Sequence, residues 1–474
     1  MFDLQLYPWL SVIPPLLAIG IAVIFRQVYI ALIIGLWSGT VILANGNPVK
    51  ALADTIDLCI RVFKDADNTR VICFSCLIGG LIAFTQRSGG VKGFIHWLSK
   101  HSLINSKKQA QLMTMAIGMC VPIESSISVL VTGTVARPIF DRLKISREKL
   151  AYICDSTSAP ICALIPVNAW GAYMASLLAN QDISNPFGMY IKALLFNFYP
   201  ILALILMFIL IVSQKDFFYM KKAEHRAREK DKVLSKKAAT LISSDVMGIE
   251  PKQNVVPRAS NLILPVFSMI AMMIAGLFVT GNGDLTQGSG STAVLWAVLT
   301  ALTVGGIKYL ISGIMRFNEL MQFFFKGVGG LINMAVLMML AFAIGNLCRD
   351  LKTGIYVAGI AKDLISPSLL PFILFITTSF IAFSTGTSWG TWGIMVPIGI
   401  PVAQQLGVPV VPVVASIVSG GVFGDHCSPI SDTTIVSSLA SASDHIDHVN
   451  TQLPYALFAG TGAALMFLLA GILY

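Results

Sequence analysis

Charge is what this sequence has little of. Only 12% of its 474 residues are Asp, Glu, Lys or Arg, while 55% are hydrophobic, and the mean hydropathy is +0.76. A soluble domain carries about 25% charged residues, so that class is excluded and a polytopic membrane protein is implied. Acids are scarcer than bases, 24 against 33, yet the resulting charge of +9 does not point to nucleic acid. Eleven of the basic residues lie in one connecting segment, Gln214 to Arg258, and most of the others flank apolar spans. That is the distribution of topology control by the positive-inside rule, not of a binding face. The eight cysteines lack the spacing of a disulfide or metal framework, since Cys73-Phe-Ser-Cys76 has no second pair. No cofactor, no transition metal and no nucleic-acid partner is expected. A removable leader is not indicated either, because Pro8 to Phe25 lacks a basic n-region and a small-residue cleavage site.

What is present is a series of apolar stretches of about 20 residues, long enough to cross a ~30 Å hydrocarbon core. Spans are predicted near Pro8–Phe25, Val28–Ala44 and Arg70–Phe84, with an amphipathic stretch from Val49 to Phe63. The segment Gln109 to Arg142 is too long for one span. Val121-Pro-Ile-Glu-Ser-Ser-Ile-Ser128 interrupts it and basic residues flank both ends. A re-entrant hairpin with its tip near Glu124 fits, because irregular backbone is tolerated at depth only where protein or water covers it. A span from Leu150 to Ala179, broken at Cys154-Asp-Ser-Thr-Ser-Ala-Pro160, and a span from Tyr190 to Val212 complete this half.

The second half repeats the first. Pro401-Val-Ala-Gln-Gln-Leu-Gly-Val408 matches Pro138-Ile-Phe-Asp-Arg-Leu-Lys-Ile145 at an offset of 401 − 138 = 263, and Ser125 and Ser128 fall on Ser388 and Thr391 at the same offset. Matching Asp155 with Asp425 calls for a local shift of about seven residues (425 − 155 = 270). The expectation is an internal duplication, with residues 1–213 and 259–474 as repeats and 214–258 as a cytoplasmic linker. Five spans per repeat, an odd number, turn the second copy upside down. With both termini outside and the linker inside, about 25 of the 33 Lys and Arg fall on the cytoplasmic side. The predicted fold class is an all-α polytopic membrane protein of two inverted-topology repeats, each with five spans (one broken) and one re-entrant hairpin. Secondary transporters are built this way, with broken helices meeting at the midplane.

The stretch Phe423-Gly-Asp-His-Cys-Ser-Pro-Ile-Ser-Asp-Thr-Thr434 places two carboxylates, Asp425 and Asp432, in an uncharged apolar run. An ionisable group at membrane depth costs about 2.5 kcal/mol or more and usually marks a pathway. A broken helix leaves carbonyls at the end of one half, which suit a cation, and N–H groups at the start of the other. Ser428-Pro429 reads as an N-cap followed by Pro at the first helical position. Asp425 then lies at the carbonyl end of the preceding half-helix, and Na⁺ or a proton suits such a hard-oxygen site. Asp155 beside Thr157 and Ser158 gives a related arrangement in the first half. The two hairpin tips add Glu124, Ser125 and Ser128 on one side and Thr385, Thr387, Ser388 and Thr391 on the other. Ser428, Asp432 and Thr433 complete the candidate ion and substrate set, with Na⁺ at Asp425, at Asp155 or at both. Asp432 is also accounted for as a first-turn acid favoured by the macrodipole. Asn168, Trp170, Trp389, Trp392 and His426 are candidates for a substrate cavity, although tryptophans near helix breaks are more often packing residues. A soft-metal site joining His426 and Cys427 to His445 or His448 is disfavoured, the latter two lying in a polar loop some way off in sequence.

Two further classes fit the sequence less well. An intramembrane aspartyl protease would use paired acids sharing a proton. Phe423 occupies the second-glycine position of its Gly-x-Gly-Asp form, and no Pro-Ala-Leu motif follows. A channel would need a selectivity filter, and nothing here repeats as one. An enzyme is therefore not expected.

Gly424-Asp-His-Cys-Ser-Pro-Ile-Ser-Asp-Thr-Thr434 and Ser384-Thr-Gly-Thr-Ser-Trp-Gly-Thr391 resemble the NhaC family of Na⁺/H⁺ antiporters, within the ion-transporter superfamily with paired hairpins. The resemblance covers nearly the whole chain. It implies Na⁺- or H⁺-coupled secondary transport by an elevator-like motion in a bacterial inner membrane, and homodimers are common in the superfamily. Similar proteins include carriers and exchangers of amino acids and organic acids, so a small organic substrate stays open beside plain Na⁺/H⁺ exchange.

Overall fold

The computed structural model describes residues 7–25, 27–94, 106–120, 125–230, 232–234, 252, 255–364 and 366–473. The chain is all-helical over these residues. Eight helices are long and apolar enough to cross a membrane, or up to ten if each of two bent pairs counts as one span. The ten crossings expected from sequence sit at the upper end of that range. The stretch Pro367–Thr385, which leads into the expected second hairpin tip, is long and apolar enough to count among the eight.

The first half begins with α1 (Ile13–Phe25) and α2 (Val28–Leu43), packed as a pair. Pro48 then starts the amphipathic α3 (Pro48–Val62), bent 119° from α2. Asn47 caps α3 by accepting hydrogen bonds from the amides of Val49 and Lys50. The predicted span at Arg70–Phe84 is the longer α4 (Ala66–Arg87), capped by Asp65. The hairpin follows as α5 (Lys107–Cys120) and α6 (Ser125–Arg142). Residues 121–124, and with them Glu124, lie outside the described residues. The expected broken span is in three pieces, α7 (Arg147–Ser156), α8 (Ala159–Leu164) and α9 (Ala169–Ala179), and a bend of 42° separates the first two from the third. The predicted span Tyr190–Val212 divides into α10 (Pro186–Leu194) and α11 (Phe198–Ser213), and the linker opens with α12 (Phe218–Glu229).

The second half runs through α13 (Ser260–Thr280), α14 (Gly290–Ile311), α15 (Phe317–Gly330), α16 (Ile332–Asp350) and α17 (Thr353–Leu364). The second hairpin is α18 (Leu370–Thr385) and α19 (Ser388–Leu406), joined by Gly386 and Thr387. Then come α20 (Val410–Cys427), α21 (Asp432–Ser441) and α22 (His445–Leu473).

Helix starts in the two halves keep one register. Lys107 and Leu370, Ser125 and Ser388, Arg147 and Val410, and Ala169 and Asp432 are each separated by 263 residues (370 − 107, 388 − 125, 410 − 147, 432 − 169). The seven-residue shift inferred around the broken helix is therefore a misreading. The break at 428–431 corresponds to 165–168 (428 − 263 and 431 − 263), with Pro429 opposite Pro166. The first half carries an extra interruption at Thr157–Ser158, so Asp155 and Asp425 are not equivalent by position.

Close backbone approach sets where the second hairpin sits. A Cβ on Gly420 would meet the Phe375 carbonyl at 2.7 Å, and one on Gly424 would collide with the Ser379 carbonyl. This Gly-x-x-x-Gly face therefore lets α20 lie directly on α18, as small residues do in membrane helix pairs. At the tip, Gly386 adopts a left-handed φ of 69° and packs on the Ile430 backbone, which brings the hairpin turn against the 428–431 break. Helix α21 in turn packs on α6 and α7 of the first half. Arg147 makes two hydrogen bonds to Asp141, at 2.6 and 2.7 Å, and donates to the Ser441 carbonyl at 2.6 Å; Arg137 donates to the carbonyls of Leu439 and Ala440. Two guanidinium groups thus satisfy the carbonyl end of α21, where orphan acceptors and the macrodipole favour cations.

Candidate functional site

Both buried carboxylates of the broken helices lie in a last helical turn. Asp425 precedes the final two residues of α20, and Asp155 precedes the final residue of α7. Their residues are 2% and 0% exposed. An acid at a helix C-terminus faces the negative end of the dipole, and burial adds the cost of desolvating a charge. Such a position is unfavourable for a bare carboxylate and favourable for one that meets a cation or takes a proton.

The surroundings of the two acids differ. Asp425 Oδ2 accepts the Ser388 hydroxyl at 2.7 Å and the Ser388 amide at 3.3 Å, while the same hydroxyl lies 3.1 Å from the Gly421 carbonyl. Ser388 is the first residue of α19, so its N–H is one of the unsatisfied amides at that helix start. Hydroxyls gather around the turn. Thr385 Oγ1 lies 3.4 Å from Thr391 Oγ1, and Thr391 donates to the Thr387 carbonyl at 2.8 Å. Ser428 donates to Phe383 O at 2.7 Å, and Ser431 and Thr433 share a hydrogen bond of 3.0 Å. Among these hydroxyls, Ser388 is bonded to Asp425, and Ser428 ties the helix break to the end of α18.

Asp155 sits in a network of nitrogen-bearing groups. Its Oδ2 accepts from Gln452 Nε2 at 2.7 Å and Thr434 Oγ1 at 3.1 Å, with His426 Nε2 at 3.9 Å and His448 Nε2 at 4.0 Å. Its Oδ1 is buried without a hydrogen-bond partner among the described residues. Gln452 also donates to the His426 carbonyl at 2.6 Å and accepts at 3.0 Å from His448 in the tautomer that protonates Nε2. Ser438 Oγ lies 2.9 Å from His448 Nδ1 and 3.0 Å from His445 Nδ1. On the other side, Tyr199 OH is 2.6 Å from His426 Nδ1, and Ser156 Oγ is 3.3 Å from His426 Nε2.

Several expectations need correction. Ser428 is not the N-cap of the second half-helix. It is the C-cap of α20, and α21 starts four residues later with Ser431 as its N-cap. The helix persists through Cys427 because nothing before Ser428 breaks it, and Ser428-Ile430 forms the turn, with Ile430 N donating to Ser428 Oγ at 3.3 Å. His445 and His448 do not lie in a distant loop. They open α22, and His448 reaches Asp155, which sequence position alone left without a basic neighbour.

The other candidates are placed as follows. Ser128 donates to Gly118 O at 3.0 Å across the first hairpin, and Ser125 is buried at the start of α6. Thr157 and Ser158 donate to the carbonyls of Ile153 and Asp155, at 2.7 and 2.8 Å. Asp432 is the first residue of α21. Asn168 caps α9, accepting from Trp170 N and Gly171 N and donating to Cys162 O at 2.8 Å. Trp170, Trp389 and Trp392 form one cluster, with centroids 5.2 Å (Trp170–Trp392) and 5.4 Å (Trp170–Trp389) apart. Tyr173 joins it 5.0 Å from Trp389. The Trp392 indole N–H is buried without an acceptor among the described residues.

Sequence reading missed Tyr199, Thr434, Ser438 and Gln452. The pattern His445-x-x-His448-x-x-x-Gln452, one helix face at i, i+3 and i+7, was the available signal.

A multi-pass helical bundle whose broken helices and hairpins bring buried acids and hydroxyls together defines a cation-coupled secondary transporter. The chain belongs to the Na⁺/H⁺ antiporter family, whose model matches residues 2–185 and 181–472. It is 32% identical over 98% of its length to an uncharacterized protein of Haemophilus influenzae, covering 91% of that protein. Over 112 residues, 24% of each chain, it is 36% identical to the malate-2H(+)/Na(+)-lactate antiporter of Bacillus subtilis. Its fold is similar to that of the Alcanivorax borkumensis YdaH transporter, described as having an unusual topology, with a TM-score of 0.58 at 14% identity over 89% of this chain and 88% of that one.

Proposed function

We propose that this antiporter exchanges Na⁺ for H⁺ by alternating access, with the cation held at Asp425 and the proton carried by Asp155. One observation carries the reading: two buried acids, each in the last turn of a half-helix, stand in chemically different shells. Asp425 meets the Ser388 hydroxyl, which also reaches the Gly421 carbonyl, and oxygen is the ligand type of a hard cation. Asp155 has two imidazoles within about 4 Å, groups suited to passing a proton. In this reading Ser388, Thr385, Thr387, Thr391, Ser428 and Thr433 supply further oxygens. The coupling ions serve without a cofactor.

Several finer features belong to the same proposal. Residues 1–213 and 259–474 act as inverted repeats about a pseudo-twofold axis, and 214–258 faces the cytoplasm with both termini outside. The lipid bilayer is a bacterial cytoplasmic membrane. The hairpins move elevator-fashion against a scaffold containing α4, α13, α14 and α15, in a homodimer. In everted vesicles, added Na⁺ alone should move protons, and Asp425→Asn should abolish that movement; intact exchange in the variant would overturn the assignment.

A second reading, exchange of a small organic solute, is favoured by the Trp392 indole N–H, a buried donor that lacks an acceptor in the Trp170–Trp389 cluster. The malate and lactate exchange for which the Bacillus relative is named is compatible with it. A thermal-shift panel of amino acids and carboxylates separates the two. An organic compound that stabilises the protein only with Na⁺ supports the solute reading.

A further inference from the structure

An apolar groove of about 650 Å³ opens on the outer side of α22, where α12 crosses it. Phe218 and Tyr219 of α12 line one end, and Leu453, Leu457, Phe458 and Leu465 continue it along α22. From Asn450 to Leu465 the groove follows 15 residues, about 22 Å of helix at 1.5 Å per residue. That exceeds one leaflet of a hydrocarbon core about 30 Å thick. Helix α22 is apolar and long enough to cross the membrane, so what covers this face is lipid.

The mouth of the groove is different in character. The Lys222 ammonium lies 5.4 Å from the centre of the Tyr219 ring, and Lys221 beside it is exposed. Helix α12 cannot swing these charges away freely. Arg226 holds Glu148 of α7 at 2.8 Å, and Glu224 accepts from Ser146 at 2.7 Å. Aromatic rings at the boundary with lysines just beyond them are the pattern of a helix lying in the headgroup region.

We propose that this groove is a binding site for one anionic phospholipid, its acyl chain along α22 and its phosphate at Lys221 and Lys222. Charge selects this occupant over a second copy of the chain, because a twofold contact here would set the lysines of one copy against those of the other. The proposal is independent of which ions or solutes are transported.

Native mass spectrometry of the full-length protein tests it, after incubation with phosphatidylglycerol or phosphatidylcholine of identical acyl chains. Retention of phosphatidylglycerol should exceed that of phosphatidylcholine about fivefold or more, the effect of one lysine near an anionic headgroup. Lys221→Gln/Lys222→Gln should bring the two lipids level. Thr461→Trp, which fills the groove from its exposed wall, should lower retention of both. Equal retention by the wild type, or an unchanged preference in the double variant, would refute the site. So would a Thr461→Trp protein that turns from dimer to monomer while keeping its lipid. If the tryptophan variant fails to fold, the charge variant decides alone.

Discussion

Ser388 hands both its hydroxyl and its amide to one oxygen of Asp425, at 2.7 and 3.3 Å. The pair joins the tip of the second hairpin to the last turn of α20 across 37 positions of sequence. A motion that separates tip from break must release these bonds, so under the proposed assignment of the cation to Asp425 the pair would link ion occupancy to conformation.

Removing the hydroxyl should therefore weaken cation binding without abolishing it. A hydrogen bond to a charged group contributes about 1.5–3 kcal/mol, so Ser388→Ala should raise the Na⁺ concentration for half-maximal exchange about tenfold or more. Na⁺ titration of proton movement in everted vesicles measures this. An unchanged midpoint would remove Ser388 from the site.

Asp155→Asn should separate binding from coupling. Asp155 has its own hydrogen-bond partners, Gln452 and Thr434, with two imidazoles within about 4 Å. The variant should still be stabilised by Na⁺ in thermal unfolding while showing no Na⁺-driven proton flux. Loss of the Na⁺ stabilisation would instead make Asp155 a cation ligand.

His448→Gln keeps a polar side chain but removes a titratable group 4.0 Å from Asp155. The pH profile of exchange should change shape in this variant, with its Na⁺ midpoint at fixed pH changing less than twofold. A profile superimposable on the wild type would exclude His448 from the proton route.

Arg147→Met should lower stability. It strips Asp141 of two short hydrogen bonds and leaves the Ser441 carbonyl at the end of α21 without its donor. A loss of about 2–4 kcal/mol is expected from unpairing such a group, visible as a lower thermal midpoint. A midpoint equal to the wild type would show that Arg137 alone satisfies this end.

Much of this arrangement was legible in sequence. Asp155 and Asp425 stood out as charges in apolar runs, and Ser125 and Ser388 marked equivalent helix starts because proline and hydroxyl positions recur at a fixed spacing. The register of the broken helix was misread because two Asp residues invited alignment with each other. Their matching Pro166 and Pro429 carried the true spacing. Ser428-Pro429 imitates a helix start, and only the packing of Gly386 on Ile430 and the bond from Ser428 to Phe383 O show it as a turn. The shell of Asp155 could not be read locally. Tyr199, His426 and Gln452 come from three helices, and tertiary packing alone brings them together.

The clamp on α21 runs in one direction. Arg137 and Arg147 reach from the first half to the second, but the positions 263 residues later are Ile400 and Val410, which have nothing to offer in return. Two copies of the first half would therefore present four guanidinium groups and no α21 for them to hold. Two copies of the second would leave that helix without its arginines. The two halves are unlike in this contact, and co-expressing them as separate polypeptides should rescue folding only when one of each is supplied.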